Sequence, residues 1–351
     1  MDSPPLLVIG SNSISGASFV RHAIEQGRRV IGVSRSAELP GCFLPYRWAA
    51  EAAQARFSFH QMDLNHHAAG ILDLVSDARC ACVVNFAAQS MVAESWLNPE
   101  QWYQTNVVAN VRLHDGLRKI PSLRRYVHIS TPEVYGSCEG TVRENETYRP
   151  STPYAASRAA CDLHLRTFFQ RYDFPVCLTR AANVYGPGQQ LYRIIPRTVM
   201  AVLTGEKLQL QGGGHSVRSF IHLDDVAEAT LRVADAGTSG ETYHISTSRF
   251  VSCRRWCGMR ITTSRTSTAS ADSPLPRRRA ASKSLGRRSE NSARMAARSS
   301  RVSSDEDVAV RPWPPRWSRA AASSASPRTP RWRRRAASSV RCRRGRSAGC
   351  S

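Results

Sequence analysis

The sequence predicts an α/β fold organised as a doubly wound parallel sheet, and three observations carry that prediction. The opening stretch LLVIGSNSISGASFVRHAIEQGRRVIGVSRS has an apolar run at 6–9, glycines at Gly10 and Gly16, an amphipathic segment to about Gln26 and a second apolar run at 30–33. That is strand, tight turn, helix, strand. Later apolar runs at 57–60, at 83–88 and in RRYVHIS are each followed by helical stretches, the alternation that builds parallel sheets. Hydroxyl and carboxyl side chains stand at the carboxyl end of the last run, where ligands collect in such sheets.

The first turn has a specific chemistry. Gly10 lets the chain turn sharply, Gly16 lets helix and sheet approach, and the helix amino end between them offers unpaired N–H groups to a pyrophosphate. This is a Rossmann-type arrangement. Ser13 holds the middle position of the glycine triple, which crowds the phosphate approach. After the second strand comes Arg35, where a site for NAD usually has an acid; an arginine suits the 2′-phosphate of NADP. Asp63 follows the third strand, to bind an adenine amino group or to cap the next helix. The run at 83–88 ends in small residues, among them Ala87, that leave room for ribose and nicotinamide. A helix from about Tyr103 to Lys119 carries Asn106, whose amide is expected to brace the strand below the site.

The fifth strand delivers Ser130, Thr131 and Glu133. A PSTPY turn then starts a helix with Tyr154 in its first turn. Tyrosine has an ordinary pKa of about 10, so as a base near neutrality it needs a cation beside it. Arg158, one helical turn later, is placed to supply that charge. Thr131 is placed to bond the phenol or a substrate hydroxyl. HLDDVAEA reads as a capped helix with Asp224 or Asp225 as the cap. His66, His67 and His215 have no partners at metal-ligand spacing.

Charge divides the 351-residue chain. Residues 1–250 carry 24 Lys+Arg against 22 Asp+Glu, whereas 251–351 carry 25 against 5, so +20 of the formal net charge of +22 belongs to the tail. The tail is rich in Arg, Ser, Ala and Pro with no apolar period, and is expected to be disordered. An arginine-rich arm for nucleic acid or another polyanion and a shifted reading frame in a GC-rich gene both give this composition. Periodicity stops abruptly near Ser252, which favours the frame shift. The ten cysteines show no zinc spacing and read as reduced, mostly buried thiols. The amino terminus lacks a basic signal-peptide region, and no run reaches membrane-spanning length, so a cytoplasmic protein is expected.

Gly10 and Gly16, NFAAQS, TNV, HISTPEVYG, PSTPYAASRAA, TRAANVYGPGQ, IIPRTV and RSFIHLDDVAEA, in this order over roughly residues 5–248, resemble the extended short-chain dehydrogenase/reductase family. Within it they are most similar to nucleotide-sugar epimerases and dehydratases of the dTDP-glucose 4,6-dehydratase type. The resemblance implies a homodimer, tightly bound NAD, or NADP as Arg35 suggests, and a nucleotide diphospho-sugar substrate. It implies an NAD(P)-binding domain over 1–180, to which later segments return, and a small, truncated substrate-binding lobe over 181–252 before the disordered basic tail at 253–351. Thr131, Glu133 and Tyr154 match catalytic positions, with Glu133 taking the C5 proton of a 4-keto sugar. Arg158 replaces the usual lysine, and Pro132 replaces the aspartic acid that protonates the departing C6 hydroxyl. Gly10, Ser13, Ile14, Gly16, Arg35, Asp63, Leu64 and Ala87 match cofactor positions, with Tyr154 and Arg158 reaching the same cofactor. Ser90, Asn183 and Arg218 match substrate positions, with Tyr185, Gly186 and Pro187 in the same loop as Asn183. Met91 and Ala93 depart from the family pattern.

The implied activity is a 4,6-dehydratase giving a 4-keto-6-deoxy sugar. A 4-epimerase or decarboxylase on the same scaffold, or an impaired binding homologue, are the alternatives. The arginine bias is that of a GC-rich bacterium, where such enzymes supply deoxysugars for cell surfaces and antibiotics.

Overall fold

Leu6, Leu7, Val8 and Ile9 are all buried, and their alternation decides what covers each face of the sheet. Leu6 and Val8 pack with Phe19, Val20, Val84 and Leu231 on one side, while Leu7 and Ile9 pack with Val33, Ile71, Leu113 and Leu178 on the other. The computed structural model describes residues 4–138, 140–208, 210, 215–248 and 250–252. The tail from residue 253, with the disorder and frame-shift readings attached to it, lies outside the described residues.

The elements run β1 (Leu6–Ile9), α1 (Ile14–Glu25), β2 (Val30–Ser34), α2 (Glu51–Gln54), β3 (Phe57–Gln61), α3 (Ala68–Asp77), β4 (Cys82–Asn85), α4 (Val92–Leu97), α5 (Pro99–Tyr103), α6 (Asn110–Leu117), β5 (Arg125–Ile129), α7 (Pro153–Tyr172), β6 (Val176–Ala181), β7 (Asn183–Tyr185), α8 (Ile194–Thr204), β8 (Val217–His222), α9 (Leu223–Ala236), β9 (Thr242–Ile245) and β10 (Phe250–Ser252). Seven strands form one parallel sheet in the order β3-β2-β1-β4-β5-β6-β9. The order reverses between β1 and β4, which opens a crevice at the carboxyl ends of those strands. A second sheet has the order β10-β8-β7, with β7 and β8 parallel and β8 and β10 antiparallel. Thus α9 and β9 return to the large sheet: β9 pairs with β6, and α9 packs on α1 with Arg21–Asp224 and Arg28–Asp235 ion pairs at 2.6 and 2.7 Å.

Two local expectations change. The helix foreseen from Tyr103 to Lys119 is interrupted: a π-helical turn at Gln104–Ala109 separates α5 from α6. The widened turn carries Asn106, which accepts from Gln89 N at 2.9 Å and donates to Gln89 O and Ser157 Oγ at 3.0 Å each. Asn106 therefore braces the loop after β4 against α7, and the strand itself is braced by Asn85. The cap of α9 is His222, whose Nδ1 accepts from Asp224 N at 3.2 Å, with Asp224 and Asp225 in the first turn facing the helix dipole. Cys80, Cys82, Cys161 and Cys177 are buried free thiols, while Cys42 and Cys138 are exposed. Among the described residues no helix is long and apolar enough to cross a membrane.

Phe19 is fully buried where α1 meets the sheet and lies 5.4 Å from Phe86 between ring centres. Phe19→Ala is expected to cost about 3–5 kcal/mol of stability, read from the urea midpoint at unchanged slope.

Candidate active site

The glycine turn is built by contact. Gly10 has φ +82°, and a Cβ there would fall 2.7 Å from Ala87 N; one on Gly16 would fall 2.2 Å from Gly10 O. No side chain fits at either position, so the end of β1, the start of α1 and the end of β4 close on one another. Ser13 caps α1: its Oγ accepts from Gly16 N at 3.1 Å and donates to Gly10 O at 2.7 Å. That use holds the Ser13 side chain on the turn itself. The helix start, with Ile14 half-buried in its first position, presents first-turn amides that have no intrahelical acceptor. This turn at the sheet's switch point fits the pyrophosphate of a dinucleotide.

Asn12 is a residue that sequence reasoning passed over. Its backbone N–H donates to Ser34 Oγ at 2.9 Å, its amide donates to Ser36 O and Ala37 O, and its Oδ1 accepts from Tyr46 OH at 3.1 Å. It ties the glycine turn to the segment after β2, where Arg35 stands exposed with its carbonyl accepting from Gln61. Asp63 does not cap α3, whose N-cap is His67. Instead its Oδ1 accepts from Asn65 N and Nδ2 at 2.8 and 3.0 Å, closing a turn beside buried Leu64. Ser90 is exposed beyond β4.

At the end of β5, Thr131 caps a 3-10 turn, Pro132–Tyr135, by accepting from Glu133 N at 3.3 Å. Tyr154 stands half-buried in the first turn of α7, with the Thr131 hydroxyl and the charges of Glu133 and Arg158 near enough to act on its phenol. Burial raises the Tyr154 phenol above its ordinary value; the Arg158 charge and the neighbouring Thr131 hydroxyl pull it back down, and Glu133 and Asp162 add to the rise. Burial wins, so the phenol is held protonated in the protein as it stands. Arg158 does not extend toward the crevice: it is fully buried, with Nη2 donating to Ile129 O and to His128 Nε2 at 3.1 Å. Its influence on Tyr154 is that of a nearby charge.

Beneath these residues lies a polar core that the sequence reading did not find. Asn85 donates to Asn110 Oδ1 and Tyr126 OH at 2.8 and 2.9 Å and accepts from Ala87 N at 2.9 Å. Asp162 and Arg180 form a fully buried ion pair at 2.8 Å. An arginine inside the apolar run VCLTRAA of β6, and an aspartate four residues after Arg158 on the inner face of α7, were the available signals. His114, His128 and Cys161 bring ligand-type atoms within 4.8 Å of one another. Burial drives both imidazoles well below their ordinary value and pushes the Cys161 thiol up to about 12, while Arg158 adds its own cation. The chemistry of that cluster is neutral hydrogen bonding.

In the small sheet, Asn183 on β7 donates to Ser219 O at 3.3 Å, and Arg218 is exposed on the neighbouring β8. The loop after β7 returns toward the glycine turn: a Cβ on Gly188 would fall 2.9 Å from Trp48 and 3.2 Å from Ile14.

The family model for the NAD dependent epimerase/dehydratase family matches residues 6–246. The dTDP-glucose 4,6-dehydratase of Mycolicibacterium smegmatis is 36% identical over 245 residues, covering 68% of this chain and 71% of the relative. That of Xanthomonas campestris is 34% identical over 254 residues, covering 68% and 70%. Among solved structures, DesIV, a dTDP-glucose 4,6-dehydratase from Streptomyces venezuelae with NAD and TYD bound, superposes with a TM-score of 0.63 at 30% identity, covering 72% of this chain and 79% of DesIV.

Removing the Arg158 charge deletes an influence that lowers the Tyr154 phenol, so its ionisation moves to higher pH. In Arg158→Met, the ultraviolet tyrosinate step that is absent from a Tyr154→Phe control is expected at higher pH than in the unaltered protein. An unmoved step would contradict the placement of that charge.

Proposed function

Because the chain belongs to the NAD dependent epimerase/dehydratase family, we propose that it is an NAD-dependent nucleotide-sugar 4,6-dehydratase, an enzyme that converts a nucleotide hexose to its 4-keto-6-deoxy form. The observation that carries the reading is the placement of the Tyr154 phenol within reach of Thr131 and Glu133, at the carboxyl end of β5. Residues 1–180, with α9 and β9, are read as the NAD-binding domain, and 181–252 as the remaining part of a sugar-binding lobe to which Asn183, Arg218 and Ser90 contribute.

NAD, when bound, would supply a hydride acceptor for C4 of the sugar and, once reduced, the hydride for C6. Gly10, Ser13, Ile14 and Gly16 would hold its pyrophosphate, Ala87 would leave room for its ribose, Asp63 and Leu64 would border its adenine, and Arg35 would stand at its outer ribose. Tyr154, placed beside Thr131, would first lose its own proton to solvent, a loss the Arg158 charge favours, and as the phenolate would receive the proton of the C4 hydroxyl. Glu133 removes the proton at C5, which the new 4-keto group acidifies. Pro132 has no proton to give to the departing C6 hydroxyl. Glu133, once it holds the C5 proton, is the acid that this turn supplies, so one carboxyl group carries the proton from C5 to the hydroxyl and water leaves. Glu133 would then take up a proton from solvent and deliver it to C5 as C6 is reduced.

Exposed Trp96, Leu97, Tyr103 and Leu163 lie on α4, α5 and α7, which pack together, and a second copy of this chain is the partner we assign to that face. Cytoplasmic work on activated sugars, destined for cell-surface or antibiotic deoxysugars, belongs to the same reading.

Two experiments test it. Purified protein with dTDP- and UDP-hexoses is expected to yield a product lighter by one water, and Glu133→Gln to lose about 10²–10⁴-fold of that turnover. Inversion at C4 without loss of water would replace the reading with a 4-epimerase. Leu97→Glu is expected to shift sedimentation from dimer to monomer.

A further inference from the structure

Asp162 and Arg180 are both fully buried, and both reach the segment between β5 and α7. Asp162 Oδ2 accepts from the Ser130 hydroxyl at 2.6 Å as well as from Arg180. Arg180 Nη1 donates to Tyr135 OH, and Nη2 donates to Tyr148 OH at 2.6 Å. The guanidinium carbon also lies 4.8 and 4.9 Å from the centres of the Tyr135 and Tyr148 rings. Tyr135 OH pairs in turn with His244 Nε2 on β9 at 2.8 Å, and Arg149 N donates to Val134 O at 2.9 Å. One ion pair thus joins α7, β6 and β9 to both ends of the same segment.

The placement along the chain gives this network a function. Ser130 immediately precedes Thr131, and Tyr135 follows Glu133 by two residues, so the residues assigned to proton handling are flanked by anchors on a single pair. A well-packed apolar pair is often as stable as a buried ion pair, whose desolvation costs several kcal/mol. Stability alone therefore does not account for two ionised groups here. What they supply is direction: a guanidinium fork can bond a carboxylate and two phenols at fixed angles, and lysine cannot. We infer that the Asp162–Arg180 pair is a positioning device, in which Ser130 sets Thr131 against Tyr154 for the oxidation and Tyr135 sets Glu133 for the elimination. The roles of the positioned residues rest on the functional reading above. Ser130, Tyr135, Asp162 and Arg180 are positioning residues.

The test uses the full chain with NAD and dTDP-glucose or UDP-glucose, and separates the steps. Nicotinamide absorbance in a single turnover reads the oxidation, and solvent deuterium appearing at C5 reads the elimination. A misplacement of about 1 Å can cost about 100-fold. Tyr135→Phe is expected to slow deuterium entry by about 10-fold or more while oxidation stays within about 2-fold. Ser130→Ala is expected to slow oxidation by a similar factor. A role confined to stability would slow both steps in parallel, and that result overturns the inference. Amide hydrogen exchange needs no turnover: Arg180→Lys is expected to speed exchange across residues 130–148 while β1 and β4 keep their protection, and unchanged exchange there also overturns it. Should Arg180→Lys fail to fold, Tyr135→Phe and Ser130→Ala, which leave the ion pair intact, carry the exchange test. If the unaltered protein oxidises neither sugar nucleotide, the functional reading fails for them, and the exchange result still decides the anchoring.

Discussion

The closing of β1, α1 and β4 upon one another at Gly10 is the constraint from which the rest of the site follows. With a Cβ excluded at Gly10 and Gly16, the backbone of the turn lies directly against Ala87, and the crevice at the switch point is defined by main chain. Main chain does not change rotamer, so the dinucleotide end of the site is rigid. Such close packing leaves polar groups to satisfy, and the sequence meets that demand with amides. Asn12 serves the loop after β2, Asn85 serves Ala87, and Asn106 serves Gln89. Each is a short side chain with both donors and an acceptor, suited to bridging two backbone segments that approach too closely for anything longer.

The chemical end of the site is built differently. Thr131, Glu133 and Tyr154 belong to a 3-10 turn and to the first turn of a helix, elements that by themselves define position loosely. Their support comes from below, where two arginines and one aspartate are fully buried among His128, Tyr135 and Tyr148. Two cations around one carboxylate leave the site electropositive. Of these charges Arg158 acts on Tyr154 in the direction opposite to burial while Asp162 adds to the rise, so the core both tempers and reinforces the shift in its pKa.

Much of the fold was legible because strand and helix periods write themselves along the chain: β1 has the bounds its apolar run marks, and α7 follows its PSTPY turn. Turns and caps were harder. The π-helical turn at Gln104–Ala109 keeps a nearly helical pattern, so nothing in the spacing distinguishes it. The α9 cap went to His222 because an imidazole acceptor can reach the second amide from a position that the aspartates, already inside the helix, cannot occupy. Side-chain direction was the least legible. Tyr154 and Arg158 share a helix face, yet the arginine turns inward to the Ile129 carbonyl, because a guanidinium with five donors is drawn to the nearest unpaired acceptors. The buried Asp162–Arg180 pair joins residues on a helix and a strand, and a pairing of that kind is visible once the chain is folded.

The departures from the family pattern are best weighed together. A lysine at 158 would offer a compact ammonium able to bond beyond the protein; the arginine found there has its Nη2 committed to β5 and acts on Tyr154 through its charge. A phenol raised by burial and helped through space by a cation is less ionised at rest than one bonded to an ammonium. In the proposed reaction its proton acceptance would therefore depend more on the substrate hydroxyl and Thr131 being aligned at the moment of transfer. In the proposed reaction Pro132 would have a parallel effect, because it offers no acid and would leave Glu133 to serve both C5 and the departing hydroxyl. Both substitutions trade an independent chemical group for reliance on geometry. A chain that has made that exchange needs its catalytic turn held firmly from beneath, and the Ser130 and Tyr135 anchors are where this one holds it.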